Sequence, residues 1–349
     1  MDEIDKKLRA TYKLFKKLSL NNRKEPHKVN TLFLLNNLHI DSIELKTFKL
    51  FIEIDYQLIK INSKNIFFPI NLVNYYLDNP TGIKHARDIY NSFGWFFPAF
   101  LPANPLIKIS EYLLKEDRLI SNVFLESILS TIYNEKYISK MYLYKYSKIR
   151  YVNKYSHIIF EAIQNFYLGF ISSSIILLLP CIEGIIRDIY DLEGKKENNI
   201  GKYALLNILD SNLKKYKNDK FITIFNWIPI EFIDNKFFDS FDEYFQMLNG
   251  FKLYIDKFLF IDSRNGNDIG NLNRHKIIHG LTTEFDYPFN FIRLISLLDL
   301  LVFIISMNAQ GYSCVLPMDT DESFKLSNYF TKLKPTIINL KDSEYLKYY

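Results

Sequence analysis

Apolar residues recur at helical spacing along most of this chain. In residues 1–20, Ile4, Leu8, Phe15 and Leu18 fall on one side of a helix, and basic side chains surround them. Apolar positions three and four residues apart are typical of an amphipathic helix that packs on a core. The same spacing predicts further helices at 106–116, 119–135, 201–216, 238–260, 274–284 and 289–308.

Residues 41–62 fit two patterns. Asp41 and Glu44 have the spacing of a capping box, which marks the start of a helix. Apolar residues also occupy every second position from Phe48 to Leu58, as they do in a strand. We predict a helix in this segment, with a strand as the alternative.

Residues 155–190 have the clearest helical pattern. Apolar positions from Ile159 to Phe170 mark one helical face, and those from Ile175 to Ile189 mark a second. Pro180 lies inside the second helix and predicts a kink there. Because the connections in this half of the chain are short, we expect an antiparallel helical bundle.

The predicted fold is therefore mainly α-helical and has three parts. Residues 1–150 form a mostly helical N-terminal region of unknown role, 151–310 form the bundle, and 311–349 form a C-terminal extension. The stretch GWFFPAFLPANP at 94–105 has three prolines and predicts a rigid apolar connector. A chain of 349 residues with 48% apolar residues can bury a sizeable core.

Composition excludes some classes of protein and leaves others open. The net charge of +5 is mild, so it permits binding to a polyanion without requiring it. The two cysteines, Cys181 and Cys314, form no disulfide framework or thiolate zinc motif. Burial of Cys181 beside Pro180 would raise the pKa of its thiol, which argues against a catalytic role. The start of the chain lacks the apolar region of a signal peptide, so we expect a cytoplasmic protein without a membrane partner.

Residues 136–160 contain no acidic residue and are rich in basic and tyrosine side chains. Lys145, Lys148 and Arg150 lie among the tyrosines of this segment. Cations that neutralise phosphate, next to rings that stack on bases, are what binding to single-stranded nucleic acid requires. The segment is a candidate RNA-binding surface, and the alternative is a solvated surface without a ligand.

The sequence NRHKIIHG at 273–280 has two of the six histidines in the chain. His275 and His279 are four residues apart, so on a helix they share a face, as zinc ligands do. However, Lys276 stands where zinc proteases have glutamate, and no third ligand has a suitable spacing. We therefore predict neither a metal nor another cofactor.

Arg274 and His279 together supply the chemistry that cleaves RNA without a metal. Arginine offers a charged planar fork to phosphate oxygens, and histidine exchanges a proton near neutral pH. On a regular helix, positions five apart diverge by about 140°. The pair would converge better if a second subunit supplied its own copy across a two-fold interface. For an isolated pair with this spacing, a helix start decorated with polar residues is the simpler interpretation.

The surrounding sequence resembles the HEPN superfamily of all-helical domains. Its signature is Arg, a polar residue, three variable residues and His, often followed by Gly, and Arg274, His275, His279 and Gly280 match it in turn. Upstream, PCIEGIIRDIY at 180–190 resembles a frequent P-x-I-E-G-x-x-R pattern of such domains. The segment GWFFPAF is similar to one found ahead of these domains in abortive-infection-type bacterial proteins. The resemblance covers 155–310, with a fainter similarity at 90–105.

This resemblance implies a metal-independent endoribonuclease that acts as a homodimer in toxin or antiviral defence. Arg274 and His279 would be its catalytic pair and His275 a polar helper, with Asn273 a supporting candidate. The expected substrate is single-stranded RNA, tRNA included. Some members of the superfamily are inactive and bind RNA or nucleotides or mediate assembly, which is the alternative function.

Glu183 and Arg187 lie four residues apart in the upstream pattern. In the functional interpretation they orient Arg274 or contact RNA. In the structural one they form an intrahelical ion pair that braces the bundle, and we favour this second interpretation.

Overall fold

The computed structural model describes residues 3–49, 53–71, 82–191, 202–256, 272–308 and 311–341. The fold is mainly α-helical, as predicted, and its described residues form fifteen α-helices and one three-stranded sheet. The helices are α1 (Glu3–Phe15), α2 (Leu20–Lys24), α3 (Pro26–Leu35), α4 (Gly82–Ser92), α5 (Ala103–Leu113), α6 (Arg118–Ile132), α7 (Glu135–Met141), α8 (Ser156–Tyr167), α9 (Ile171–Asp191), α10 (Lys202–Lys217), α11 (Asn235–Phe241), α12 (Glu243–Tyr254), α13 (Arg274–Ile278), α14 (Pro288–Asn308) and α15 (Asp321–Lys341).

The chain divides into two compact units whose boundaries differ from the predicted ones. The first unit comprises Met1–Lys84 and Leu209–Gln246, and the second comprises His85–Ile208 and Met247–Tyr349. Helix α6 packs against α14, and α15 packs against α7 and α8. The predicted boundary at residue 150 and the predicted C-terminal extension therefore do not separate independent parts, because these long-range contacts join them.

The first unit contains a sheet where we predicted a helix. Strands β1 (Ser42–Lys49), β2 (Glu53–Ile61) and β3 (Lys64–Pro69) pair in sequence order, each antiparallel to the next. Asn62 and Ser63 join β2 to β3, and both have positive φ angles, 49° and 63°. Two such residues in succession make the tight hairpin turn that matches strand twist. The apparent capping residue Asp41 instead accepts a hydrogen bond from the Ser63 backbone N–H at 3.3 Å.

The core of the first unit lies between this sheet and the N-terminal helices. The apolar face predicted for α1 is buried there, with Leu8 and Phe15 almost fully enclosed. Phe15 meets Phe68 of β3 edge to face, with ring centroids 5.3 Å apart. Burial of such large side chains is the main source of stability of a unit of this size.

The second unit is built around the antiparallel pair α8 and α9 and the buried helix α14. Helix α8 ends in a Schellman motif, in which Gly169 has a φ of +80° and the Phe170 N–H bonds to the Asn165 carbonyl at 2.8 Å. Helix α9 then continues through Pro180 to Asp191 and packs on both α8 and α14.

Helix α14 is largely apolar and lies in the core. Among the described residues, Pro288–Met307 is the one stretch long and apolar enough to cross a membrane, and 94% of its most apolar window is buried inside the protein. A largely apolar helix that is enclosed by its own chain is typical of the core of a globular protein.

Candidate functional site

The motif NRHKIIHG forms the short helix α13, and its first residue sets where the helix begins. The Asn273 side chain accepts hydrogen bonds from the backbone N–H groups of His275 at 3.0 Å and Lys276 at 3.2 Å. Asn273 is 1% exposed, so water does not compete for these bonds. This is the N-cap arrangement that asparagine favours. Asn273 therefore positions the motif backbone.

The end of α13 is set by Gly280. This glycine has a φ of +67°, which is the left-handed conformation that favours glycine. Its N–H bonds to the Ile277 carbonyl at 3.2 Å, and the Leu281 N–H bonds to the Lys276 carbonyl at 2.7 Å. These two bonds form a Schellman motif and stop the helix after Ile278. The helix predicted at 274–284 is therefore shorter than expected, because the turn at Gly280 ends it.

His275 and His279 lie side by side on the exposed surface of this helix. Their ring centroids are 4.4 Å apart and their planes are inclined by 53°. Both residues are exposed, so a substrate can approach them from solvent. The side chain of Arg274 lies outside the described residues, and its convergence with His279 stays a prediction. An imidazole ring has one nitrogen that can accept a proton and one that can donate it, which is what general acid–base catalysis requires.

Exposed apolar side chains surround the two histidines in sequence. Ile278, Leu281 and Tyr287 all keep a large exposed fraction. Helix α13 packs on α9, and buried Ile277 fixes its inner side. The buried side of α13 thus packs on α9, and its exposed side presents two histidines next to apolar side chains.

Glu183 and Arg187 form the ion pair expected from their spacing. The Arg187 Nη2 and Glu183 Oε1 atoms are 3.6 Å apart within α9, and the arginine side chain is 44% exposed. An exposed pair of this kind contributes little to stability.

Gly184 of the same pattern has a packing role. A side chain at this position would bring its Cβ within 2.6 Å of the Tyr155 ring carbon Cζ, too close for any contact. The absence of a side chain lets Tyr155 lie against α9, where its hydroxyl donates to Asp188 at 3.3 Å. Lys154 also donates to Asp188, at 2.9 Å. Packing of Tyr155 against α9 therefore explains the glycine in the P-x-I-E-G-x-x-R pattern.

The basic segment 136–160 divides into inward and outward side chains. Lys145 is 4% exposed, donates to the Ser313 carbonyl and lies over the Phe100 ring at 5.1 Å. Burial lowers the pKa of its ammonium group, and this amine is enclosed rather than presented to RNA. The prediction that Lys145 contacts RNA is therefore wrong, because its amine is buried. Lys148 and Arg150 are exposed, as a phosphate-contacting role requires.

The inward side of this segment forms a polar network that the sequence pattern did not indicate. Tyr137 and Tyr146 both donate to the carboxyl group of Asp299 on α14, each at 2.5 Å. Burial raises the pKa of Asp299 to about 7, although the two hydroxyls and nearby Lys145 act in the opposite direction. Asp299 is 0% exposed and is therefore a residue of the core.

The described parts of the chain contain no cluster of metal-binding side chains, and the buried Cys181 is not an activated thiol. Within those ranges, no three His, Cys, Asp or Glu side chains come together in a way that could hold a metal ion. Cys181 is buried in α9, and burial raises the pKa of its thiol to about 11. This agrees with the expectation that Cys181 is not a nucleophile.

Comparison with known proteins adds no assignment to this geometry. No protein-family model, no curated protein and no solved structure matches the chain.

Proposed function

We propose that this protein is a metal-independent endoribonuclease of the toxin or antiviral-defence type, with its active site at α13. The observation that supports this most strongly is the exposed pair His275 and His279, with ring centroids 4.4 Å apart on a helix whose ends are both fixed. A rigid backbone holds catalytic groups in place before the substrate binds.

The reaction uses the substrate's own 2′-hydroxyl as nucleophile. One imidazole takes the proton from the 2′-hydroxyl, and the 2′-oxygen then attacks the adjacent phosphorus. The bond from phosphorus to the 5′-oxygen breaks, and a second proton donor protonates that leaving oxygen. The products are a 2′,3′-cyclic phosphate and a 5′-hydroxyl end. In this proposal His279 is the principal proton-transfer group, His275 assists it, and Arg274 stabilises the charge on the phosphorane.

The active form in this proposal is a homodimer whose two α13 helices face each other. In each chain His279 is the principal proton-transfer group and His275 only assists it, so a second chain would supply a second principal proton-transfer group and a second phosphate-binding arginine. The exposed apolar side chains of Ile278, Leu281 and Tyr287 support the proposal, because contact with a second copy would remove them from water.

The substrate in this proposal is a single-stranded RNA, including loops of tRNA, in the cytoplasm. Lys148 and Arg150 would contact its phosphates, since both side chains are exposed. Arg150 also lies over the Tyr151 ring at 4.9 Å, so a cation and an aromatic ring occur together at this surface.

The test is cleavage of RNA by purified protein in excess EDTA. We expect the wild type to cleave and His279→Ala to be slower by at least about a hundredfold, the usual contribution of a general acid or base. His27→Ala is the matched control, because His27 is also an exposed histidine on a helix but lies outside both the motif and segment 136–160, so this variant should cleave like the wild type.

Two results would contradict the proposal: no cleavage by wild type, or cleavage by His279→Ala at the wild-type rate. RNA binding without cleavage that survives both Arg274→Ala and His279→Ala would instead identify a non-enzymatic binding module.

A further inference from the structure

A cavity of about 400 Å³ lies in the second unit, and no residue of α13 lines it. It is lined by the junction of α6 and α7, the turn between α8 and α9, the first turn of α14, and Lys334 of α15. This volume is within the range of small-molecule sites. None of the functions proposed above uses it.

One part of the cavity is apolar. Phe166, Leu168 and Ile292 line it together with the first residues of α9 and α14. The Phe166 ring is held by stacking on Phe291, with centroids 4.1 Å apart and planes inclined by 14°. A fixed aromatic ring beside aliphatic side chains suits an apolar or aromatic group of a ligand.

The other part of the cavity has one charge of each sign. Lys334 and Glu135 both line it and form an ion pair with each other. The Glu135 side chain is 17% exposed and that of Lys334 is 55% exposed. The ammonium group of Lys334 also lies 5.7 Å from the centroid of the Tyr167 ring. The pair is therefore anchored at one side by a buried aromatic residue.

Tyr167 supplies an independent indication of a ligand. It lines the cavity and is 5% exposed, and its hydroxyl is buried without a hydrogen-bond partner. An unsatisfied buried hydroxyl costs free energy, so a ligand atom that bonds to it would gain affinity. In addition, α9 and α14 both begin at this cavity and are 21 residues long, and the first turn of a helix favours negative charge.

We propose that this cavity binds a free α-amino acid with an apolar or aromatic side chain. Its carboxylate would bond to Lys334 and the Tyr167 hydroxyl, and its ammonium group to Glu135, while its side chain lies against Phe166, Leu168 and Ile292. A simple anion that took Lys334 would leave Glu135 unpaired, and a simple cation would leave Lys334 unpaired. A zwitterion keeps both charges paired, which a partly buried site requires.

Three ligands that share one ring distinguish these possibilities. L-phenylalanine, N-acetyl-L-phenylalanine and phenethylamine would each be titrated into wild-type protein by calorimetry, with ligand-observed NMR for weak binding. We expect L-phenylalanine to bind at least about tenfold more tightly than either single-charge analogue, since each analogue lacks one charged contact. The proposal is overturned if either analogue binds as tightly as the amino acid, or if none of the three binds.

Two variants and one control locate the site. We expect Lys334→Met and Glu135→Gln each to weaken L-phenylalanine binding by at least about tenfold. Lys332→Met removes an exposed charge two residues away on the same helix and should bind like the wild type. Unchanged binding in both Lys334→Met and Glu135→Gln would overturn the proposal. The readout is independent of RNA cleavage, so failure here and failure of the proposed nuclease function are distinguishable.

Discussion

Two stretches of this chain have the residue types that RNA binding requires, the basic segment 136–160 and the motif at 273–280, yet the structure uses them differently. In the basic segment, Tyr137, Lys145 and Tyr146 point into the core and bond there. In the motif, His275 and His279 are exposed and adjacent. Stretches of similar composition therefore differ: several basic and tyrosine side chains of the first have a structural role, whereas the two histidines of the second are exposed to solvent.

The difference comes from which interactions fix each stretch. The motif is fixed by local bonds at both ends, from the Asn273 cap and the turn at Gly280, so its outer face stays free. The basic segment is fixed by long-range partners such as Asp299 and Ser313, more than 150 residues away. Local motifs predict which face is exposed, whereas interleaved basic and aromatic residues do not.

The largest expected effect tests the core role of the basic segment through pH. The pKa of Asp299 is raised to about 7, well above the ordinary value of 3.8. Between these values the native state holds a proton that the unfolded state has released, so stability falls as pH rises. The loss is at most about 1.4 kcal/mol per pH unit from roughly pH 4 to pH 7, and it ends above pH 7.

Asp299→Asn is the variant that isolates this effect, because an amide can still accept from one tyrosine and donate to the other. Urea unfolding of both proteins across this pH range should show a steeper fall for the wild type. Equal slopes would mean that the Asp299 carboxyl group is not held protonated by burial, and the core role of this network would need revision.

A smaller effect tests whether the Asn273 cap positions the motif helix α13. Asn273→Ala removes the cap of α13, and we expect a loss of about 1 kcal/mol in the free energy of unfolding together with slower RNA cleavage. Asn273→Asp keeps a carboxylate acceptor for the same two N–H groups and should lose less of both. If the alanine variant cleaves RNA as fast as the aspartate variant, the cap does not position the site.

The smallest expected effect separates inward from outward cations. Lys148→Ala and Arg150→Ala should each weaken RNA binding and reduce the dependence of log affinity on log salt by about one phosphate contact. Lys145→Met should leave that salt dependence unchanged, because its amine is enclosed. Salt titrations of RNA affinity for the three variants measure this, and a reduced slope for Lys145→Met would reverse the assignment.

Several features could be predicted from sequence because their causes are local. The amphipathic face of α1, the helix that follows the proline-rich connector and the ion pair of Glu183 with Arg187 all follow from spacing. The strands at 42–69 could have been recognised from the alternation and from Asn62–Ser63, but the capping-box spacing at Asp41 suggested a helix instead.

Other features depend on partners that are distant in sequence. The turn Tyr142–Tyr146 is π-helical, and it places the successive residues Lys145 and Tyr146 both in the core. Helical periodicity with 3.6 residues per turn does not predict such a placement. The two-unit division likewise depends on packing between helices far apart in the chain, which residue patterns do not specify.

Attack by the 2′-hydroxyl is tested with an RNA that the wild type cuts in EDTA, and with the same RNA carrying a single 2′-deoxyribose on the 5′ side of the cut. We expect cleavage of the first RNA to a 2′,3′-cyclic phosphate and no cleavage at the modified position of the second, because the nucleophile is missing. Cleavage at the 2′-deoxy position would contradict the proposed chemistry at His275 and His279.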